Sequence, residues 1–358
     1  MKIALVHEML VKMGGAERVV ERLLEMYPKS PLYTLFQDQK KLGEGFKNQE
    51  VITSHLQPYY EKLGAKFLLG KMAGAIEKFD FSAFDVVISS SSAFAHGIKT
   101  EGKVKHICYT HSPMRYAWDY THEYTKDMSF FMKFIVGNML KEIRLWDFET
   151  SSRPDVMIAN SLHVQKRITK YYRRDAEVIY PPVNVKSFKA TRAHDDYFLI
   201  VSALTPFKRI DLAIEAFNTL GRRLVIIGDG AQRNILESMA KKNIEFLGRQ
   251  DDTVVQEYMQ NCRAFIFPGE EDFGITPVEA MAAGKPVLAY GVGGVLETVV
   301  EGKTGEFFTL PTPQSLTQGL TRLLLNEKSY HYKKIRLQAE KFDEQVFEEK
   351  MRKVIKEI

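Results

Sequence analysis

The chain has 358 residues, 45% of them hydrophobic and 27% charged, with a formal net charge of +5. That balance belongs to a soluble globular protein, and the length suits two domains of ordinary size. Only two cysteines occur, Cys108 and Cys262, each inside an apolar run, so neither a disulfide framework nor a C-x-x-C zinc site is indicated and a reducing compartment is expected.

The first run, KIALVHE, reads as a strand. His7 and Glu8 interrupt it too early for a signal peptide. No stretch approaches the roughly 18 apolar residues of a membrane-spanning helix, so a cytoplasmic location is expected. Gly14-Gly15-Ala16-Glu17 follows and opens the helical pattern AERVVERLLEMY. Two glycines at a strand–helix turn let backbone amides cradle a phosphate, and an ordinary tight turn explains them equally well. Strands DVVISSS and KHICYT come next, the second leading into His111. A lone histidine at a strand end is more often structural than catalytic. Segments 59–79 (YYEKLGAKFLLGKMAGAIEKF) and 126–144 (KDMSFFMKFIVGNMLKEIR) mix apolar residues with Lys and Arg. The favoured reading of 126–144 is a core helix of the first domain, and the other is an interfacial segment at a membrane. Strands VMIANS and EVIYPP complete the first half. Residues 1–185 hold 26 Lys+Arg against 21 Asp+Glu, which is the entire net excess. Such a bias suits an anionic substrate, a membrane surface or nucleic acid without choosing among them.

Residues 181–196 (PPVNVKSFKATRAHDD) have two prolines, mixed charge and no period, and mark a join. Beyond it, YFLIVSAL, RLVIIGDG, IEFLG, CRAFIFPG and PVLAYGV read as strands. Helical patterns at 209–220, 231–242 and 313–326 lie among them, and an amphipathic helix ends the chain. Alternating strands and helices predict an α/β protein of two Rossmann-like halves with a cleft between them. Gly228-Asp229-Gly230 and Gly293-Gly294 do not complete G-x-G-x-x-G, and no P-loop pattern occurs, so nicotinamide and P-loop readings lose their main support. No H-E-x-x-H or D-x-D pattern is present, and no metal or cofactor is expected.

Lys208 and Arg209 end the loop Leu204-Thr205-Pro206-Phe207, on the carboxyl edge where open α/β sheets bind ligands. A solvated face would explain the two cations as well. The most informative stretch is 268–287, PGEEDFGITPVEAMAAGKPV, where a buried strand passes into a helix. Pro277 suits the first helical position, Thr276 the N-cap, and Glu279 the third residue of a capping box. That accounts for Glu279 structurally. It leaves Glu270, Glu271, Asp272 and Gly274 unexplained, beside a helix N-terminus suited to oxyanions or sugar hydroxyls.

Residues 268–287, with the GGAE turn and the TPFKR loop in order before them, resemble the retaining glycosyltransferases of family 4, which have the GT-B fold. The resemblance implies domains at 1–185 and 190–339, with a terminal helix, 340–358, crossing back to the first. It implies that Glu271 faces the donor sugar, Glu279 holds the ribose hydroxyls, and the amides of Phe273, Gly274 and Ile275 meet sugar or diphosphate. Gly14, Gly15, Lys208 and Arg209 would then meet the diphosphate, and His111 would lie near sugar and acceptor. The family pattern has an Arg where this chain has Ala203. The stretches ANSLHVQKRITKYY, VIYPPV and VIGDG look like the bacterial mannosyltransferase branch. The implied reaction moves mannose from GDP-mannose to a glycan or lipid-linked acceptor. The absence of metal motifs favours a metal-independent reaction, and the basic first half with segments 59–79 and 126–144 predicts a cytoplasmic protein partly on the inner membrane face. A UDP-sugar donor and a nucleotide-sugar epimerase are the alternatives. A scaffold or nucleic-acid binder is the rival of another class, and no basic-aromatic pattern supports it.

Overall fold

The computed structural model describes residues 1–119 and 128–358. Two compact units result: residues 1–180 with 348–358, and residues 181–347. The stretch 181–196 therefore counts with the second unit.

The first unit is built on β1 (Ile3–His7), β2 (Leu32–Thr34), β3 (Val51–Thr53), β4 (Val86–Ser91), β5 (Lys105–Thr110), β6 (Val156–Ala159) and β7 (Glu177–Val178). They form one sheet in the order β3-β2-β1-β4-β5-β6-β7, parallel throughout. Every residue of β1 and β4 is buried, as a parallel sheet covered on both faces requires. The second unit contains β8 (Phe198–Val201), β9 (Leu224–Ile227), β10 (Ile244–Gly248), β11 (Ala264–Phe267), β12 (Val287–Tyr290) and β13 (Gly305–Phe308). Their order is β10-β9-β8-β11-β12-β13, again all parallel. Strands β2, β3 and β13 are not apparent in the sequence. The first two have three residues each, and β13 opens on Gly305 followed by Glu306.

Both cysteines are fully buried. Burial pushes the Cys108 thiol up to about 11 and Cys262 to about 12, so both behave as inert small hydrophobes. The terminal pattern is not one helix. Tyr332–Ala339 ends in a 3₁₀ turn at Glu340–Phe342, and the last helix, Glu344–Glu357, starts afresh. Its Glu348 pairs with Arg22 of the first unit.

The favoured reading of 126–144 needs correction. Lys126 and Asp127 lie outside the described residues. The rest enters a helix, Phe130–Thr150, whose latter half packs into the first unit through Leu140, Ile143 and Thr150. Its first turns are exposed. Among the described residues no helix is long and apolar enough to cross a membrane.

Candidate active site

Strands β8 and β11 are neighbours, and the chain extends the sheet away from them in opposite directions, through β9 and β10 on one side and β12 and β13 on the other. Loops that diverge in this way leave an opening at the carboxyl ends of the two strands, where open α/β sheets bind ligands. Lys208 ends the 3₁₀ turn Pro206–Lys208 after β8, and Glu271 lies in the loop after β11. Lys208 Nζ is 2.5 Å from Glu271 Oε1, each side chain 26% exposed. A solvent-accessible pair of this kind contributes no more than about 1 kcal/mol. It therefore holds two opposite charges at one point and still lets Lys208 turn to an incoming anion.

Backbone contact brings the loops together. A Cβ on Gly269 would lie 2.8 Å from both Lys208 Cα and the Phe207 carbonyl oxygen. On the other side the Gly294 amide donates to the Glu271 carbonyl at 2.9 Å, so the loop after β12 backs the acidic segment. Gly269→Ala is expected to lower stability by about 1–3 kcal/mol, because the added methyl has only backbone to displace. Denaturant melts read this directly, and an unchanged midpoint would mean that the two loops have slack.

The helix expected to open at Pro277 opens two residues earlier and runs Ile275–Ala282. Its N-cap is Gly274, at φ +86°, rather than Thr276. Glycine takes that left-handed angle without steric cost, so the chain has already turned into the helix before Thr276. Pro277 is then the third helical residue, still within the first turn, where its missing N–H removes no intrahelical bond. The capping box is absent, and Glu279 is a carboxylate inside a helix, 8% exposed. Phe273 is buried edge-on against Phe342 at 5.5 Å. It anchors the loop so that the amides of Phe273, Gly274 and Ile275 stand at the positive end of the helix dipole.

Arg209 is separated from Lys208 in role. It sits at φ +49° as the N-cap of Ile210–Leu220. Its Nη2 lies 3.1 Å from Asp211 Oδ2. A non-glycine residue in that left-handed region costs about 1–3 kcal/mol, the kind of strain found at ligand-binding loops. Lys208 thus faces Glu271, and Arg209 faces Asp211.

In the first unit the chain diverges likewise between β1 and β4. Gly14 caps and Gly15 opens the helix Gly15–Met26 after β1. Its first turn carries Glu17, which is buried with Oε1 3.7 Å from His7 Nε2. Burial favours neutral His7, but Glu17 and Glu8 outweigh it and the net direction is upward. Burial likewise opposes charge on Glu17, yet His7 outweighs it and the net direction is downward. The two directions agree on a buried ion pair. The sheet register sets His7 against Ser90. His7 Nδ1 donates to the Ser90 carbonyl at 3.1 Å, and Ser90 Oγ lies 2.7 Å from His111 Nε2. His111 is therefore joined through Ser90 to His7 and Glu17. The neighbouring serines act alike: Ser89 Oγ meets His106 Nε2 at 2.7 Å and Ser91 Oγ meets His96 Nδ1 at 3.2 Å. Sequence reasoning named Glu17 only within the GGAE turn and did not connect it, His7 or Ser90 to His111. The available signal was a polar His7-Glu8 ending an apolar strand, with a serine run ending another.

Two family models match in succession. Glycosyltransferase Family 4 covers residues 13–187, and Glycosyl transferases group 1 covers residues 184–342. The chain belongs to glycosyltransferase family 4. An uncharacterized glycosyltransferase of Methanocaldococcus jannaschii is 31% identical over 199 residues, 54% of this chain and 56% of that protein. The alpha-1,3/1,6-mannosyltransferase ALG2 of Dictyostelium discoideum is 26% identical over 270 residues, 60% of this chain and 64% of that protein. The chain thus spans less than two-thirds of the length of these relatives. Among solved structures, Anabaena HepE in complex with UDP-glucose superimposes with a TM-score of 0.75 at 18% identity, covering all of both chains. Sucrose-phosphate synthase from Thermosynechococcus elongatus gives 0.76 at 15% identity, covering 100% of this chain and 99% of that one. Both likenesses identify the GT-B fold, an α/β architecture of two parallel-sheet, Rossmann-like domains.

Proposed function

We propose that this chain transfers a hexose, mannose from GDP-mannose, to a hydroxyl of a glycan or lipid-linked glycan, with retention at the anomeric carbon. The observation that carries this reading is the Lys208–Glu271 pair at the carboxyl ends of β8 and β11. It offers one cation to a leaving diphosphate and one carboxylate to a sugar. The bond from the anomeric carbon to the diphosphate oxygen breaks, and a bond to the acceptor oxygen forms on the same face. The acceptor proton leaves with the diphosphate. Charge growing on the departing oxygen is met by Lys208 and by amides at the start of Ile275–Ala282, which are in place beforehand. Glu279 accepts from the ribose hydroxyls. Mannose is favoured because a relative bears a mannosyltransferase name. The UDP-sugar alternative is supported by the UDP-glucose bound in the HepE structure.

A thermal-shift panel of GDP-, UDP- and ADP-sugars separates the donors. A ligand at 100 times its Kd stabilises by about 2.7 kcal/mol. GDP-mannose is expected to give the largest shift, and a larger shift with UDP-glucose would select the alternative. Glu279→Gln is expected to weaken GDP binding about tenfold, because a charged acceptor becomes a neutral one. Calorimetric titration of GDP checks this, and wild-type affinity in the variant would remove Glu279 from the ribose.

A further inference from the structure

The helix Phe130–Thr150 carries two apolar stripes, and the body of the protein uses only one. At roughly 100° per residue, Met139, Leu140, Ile143 and Trp146 fall on one side. That side packs inward: Leu140 and Ile143 are buried, and Met139 and Trp146 pack on the core of the first unit. Phe130 and Phe134 fall on roughly the opposite side, Phe131 falls between the two sides, and Ile135 extends the inward stripe one turn beyond Met139. Phe130, Phe131, Phe134 and Ile135 are 89%, 69%, 67% and 45% exposed. Met139 reaches Gly70, on the helix Leu69–Ile76, where a Cβ would lie 3.7 Å from its sulfur. The turn just before that helix carries Phe67, 79% exposed, with Leu63 and Tyr59 also exposed. An exposed aromatic group of this size is unusual on a water-facing surface and marks an interaction site.

Charge identifies what covers it. Residues 59–76 and 128–142 contain Lys62, Lys66, Lys71, Lys133 and Lys141 against Glu61 and Glu142. All five lysines are exposed. Phenylalanines framed by lysines that outnumber the carboxylates among them complement a surface that is apolar beneath and anionic above. We propose that this face of the first unit docks on an anionic lipid bilayer, with Phe130, Phe131, Phe134 and Phe67 entering the acyl boundary and the lysines meeting the headgroups. The inference stands on exposure and charge alone and is independent of which sugar the chain transfers.

Co-sedimentation with phosphatidylcholine vesicles, with and without phosphatidylglycerol, tests it. The protein is expected to bind the anionic vesicles at low salt and to leave them at high salt, since the lysine contribution is screened. A Lys62→Gln, Lys66→Gln, Lys133→Gln variant should bind about fivefold more weakly for each charge removed. A Phe130→Ser, Phe131→Ser, Phe134→Ser variant should lose at least about tenfold in binding with its melting temperature unchanged, because these side chains support nothing inside the fold. Absence of wild-type binding to anionic vesicles at low salt would overturn the proposal, as would wild-type binding by the phenylalanine variant. Self-association that this variant abolishes, without vesicle binding, would assign the face to a second copy of the chain and overturn it equally.

Discussion

Lys208→Ala is expected to lower turnover about 10²–10³-fold while changing donor affinity far less. The ground-state diphosphate already carries its charge and is solvated. The oxygen that parts from the sugar gains charge only as the bond breaks, so a cation fixed beside it acts mainly in the transition state. Lys208 is placed for this by the turn Pro206–Lys208 and held by Glu271 at 2.5 Å. Arg209 is engaged with Asp211, and Ala203 supplies no charge, so neither is positioned as a substitute. Steady-state kinetics with a titrated donor distinguish the outcomes. A variant with wild-type kcat would remove Lys208 from the chemistry, and a rise in KM alone would give it a binding role.

Asp147→Asn is expected to stabilise the protein increasingly as pH rises from about 4, with the full gain reached above about pH 7. Asp147 is fully buried, and burial pushes its carboxyl up from 3.8 to about 7. Trp118 Nε1 donates to its Oδ2 at 2.7 Å, while among the described residues no hydrogen bond reaches Oδ1. His96 Nε2 lies 3.5 Å from Oδ1, a separation that would suit an ion pair. Burial pushes His96 down to about 4, however, so both groups favour their neutral forms. The folded-state value of Asp147 is raised, so the folded chain keeps a proton that the unfolded chain has released. Its contribution to stability is full below about 3.8 and is lost as pH rises through about 7. Asparagine keeps the shape and never ionises. The gap between variant and wild type should therefore widen by about 2–3 kcal/mol from about pH 5 to about pH 8. Urea melts across that range measure it, and parallel curves would show that Asp147 ionises without penalty.

Much of the second unit was legible because its strands are short apolar runs closed by glycine or proline, as in RLVIIGDG and CRAFIFPG. Helix ends were less legible. Thr276-Pro277 is a good N-terminal signal, and it lost to Gly274, whose positive φ turns the chain earlier. The helix at 126–144 shows the limit of composition. Phe and Met at these positions suit a core as well as a surface, and only the packing of Leu140, Ile143 and Trp146 against the first unit fixes which stripe is covered.

The sequence alone determined which residues end up at the carboxyl ends of strands: His111 after β5, Lys208 after β8 and Glu271 after β11. Apolar period and turn chemistry are local, and they suffice for that. The tertiary structure alone decided which of these residues meet. Lys208 reaches Glu271 because Gly269 lets two loops, distant in sequence, touch backbone to backbone. Ser90 reaches both His7 and His111 because strand register sets β1, β4 and β5 side by side at that point. Register and close approach depend on segments far apart in the chain, so no local pattern encodes them.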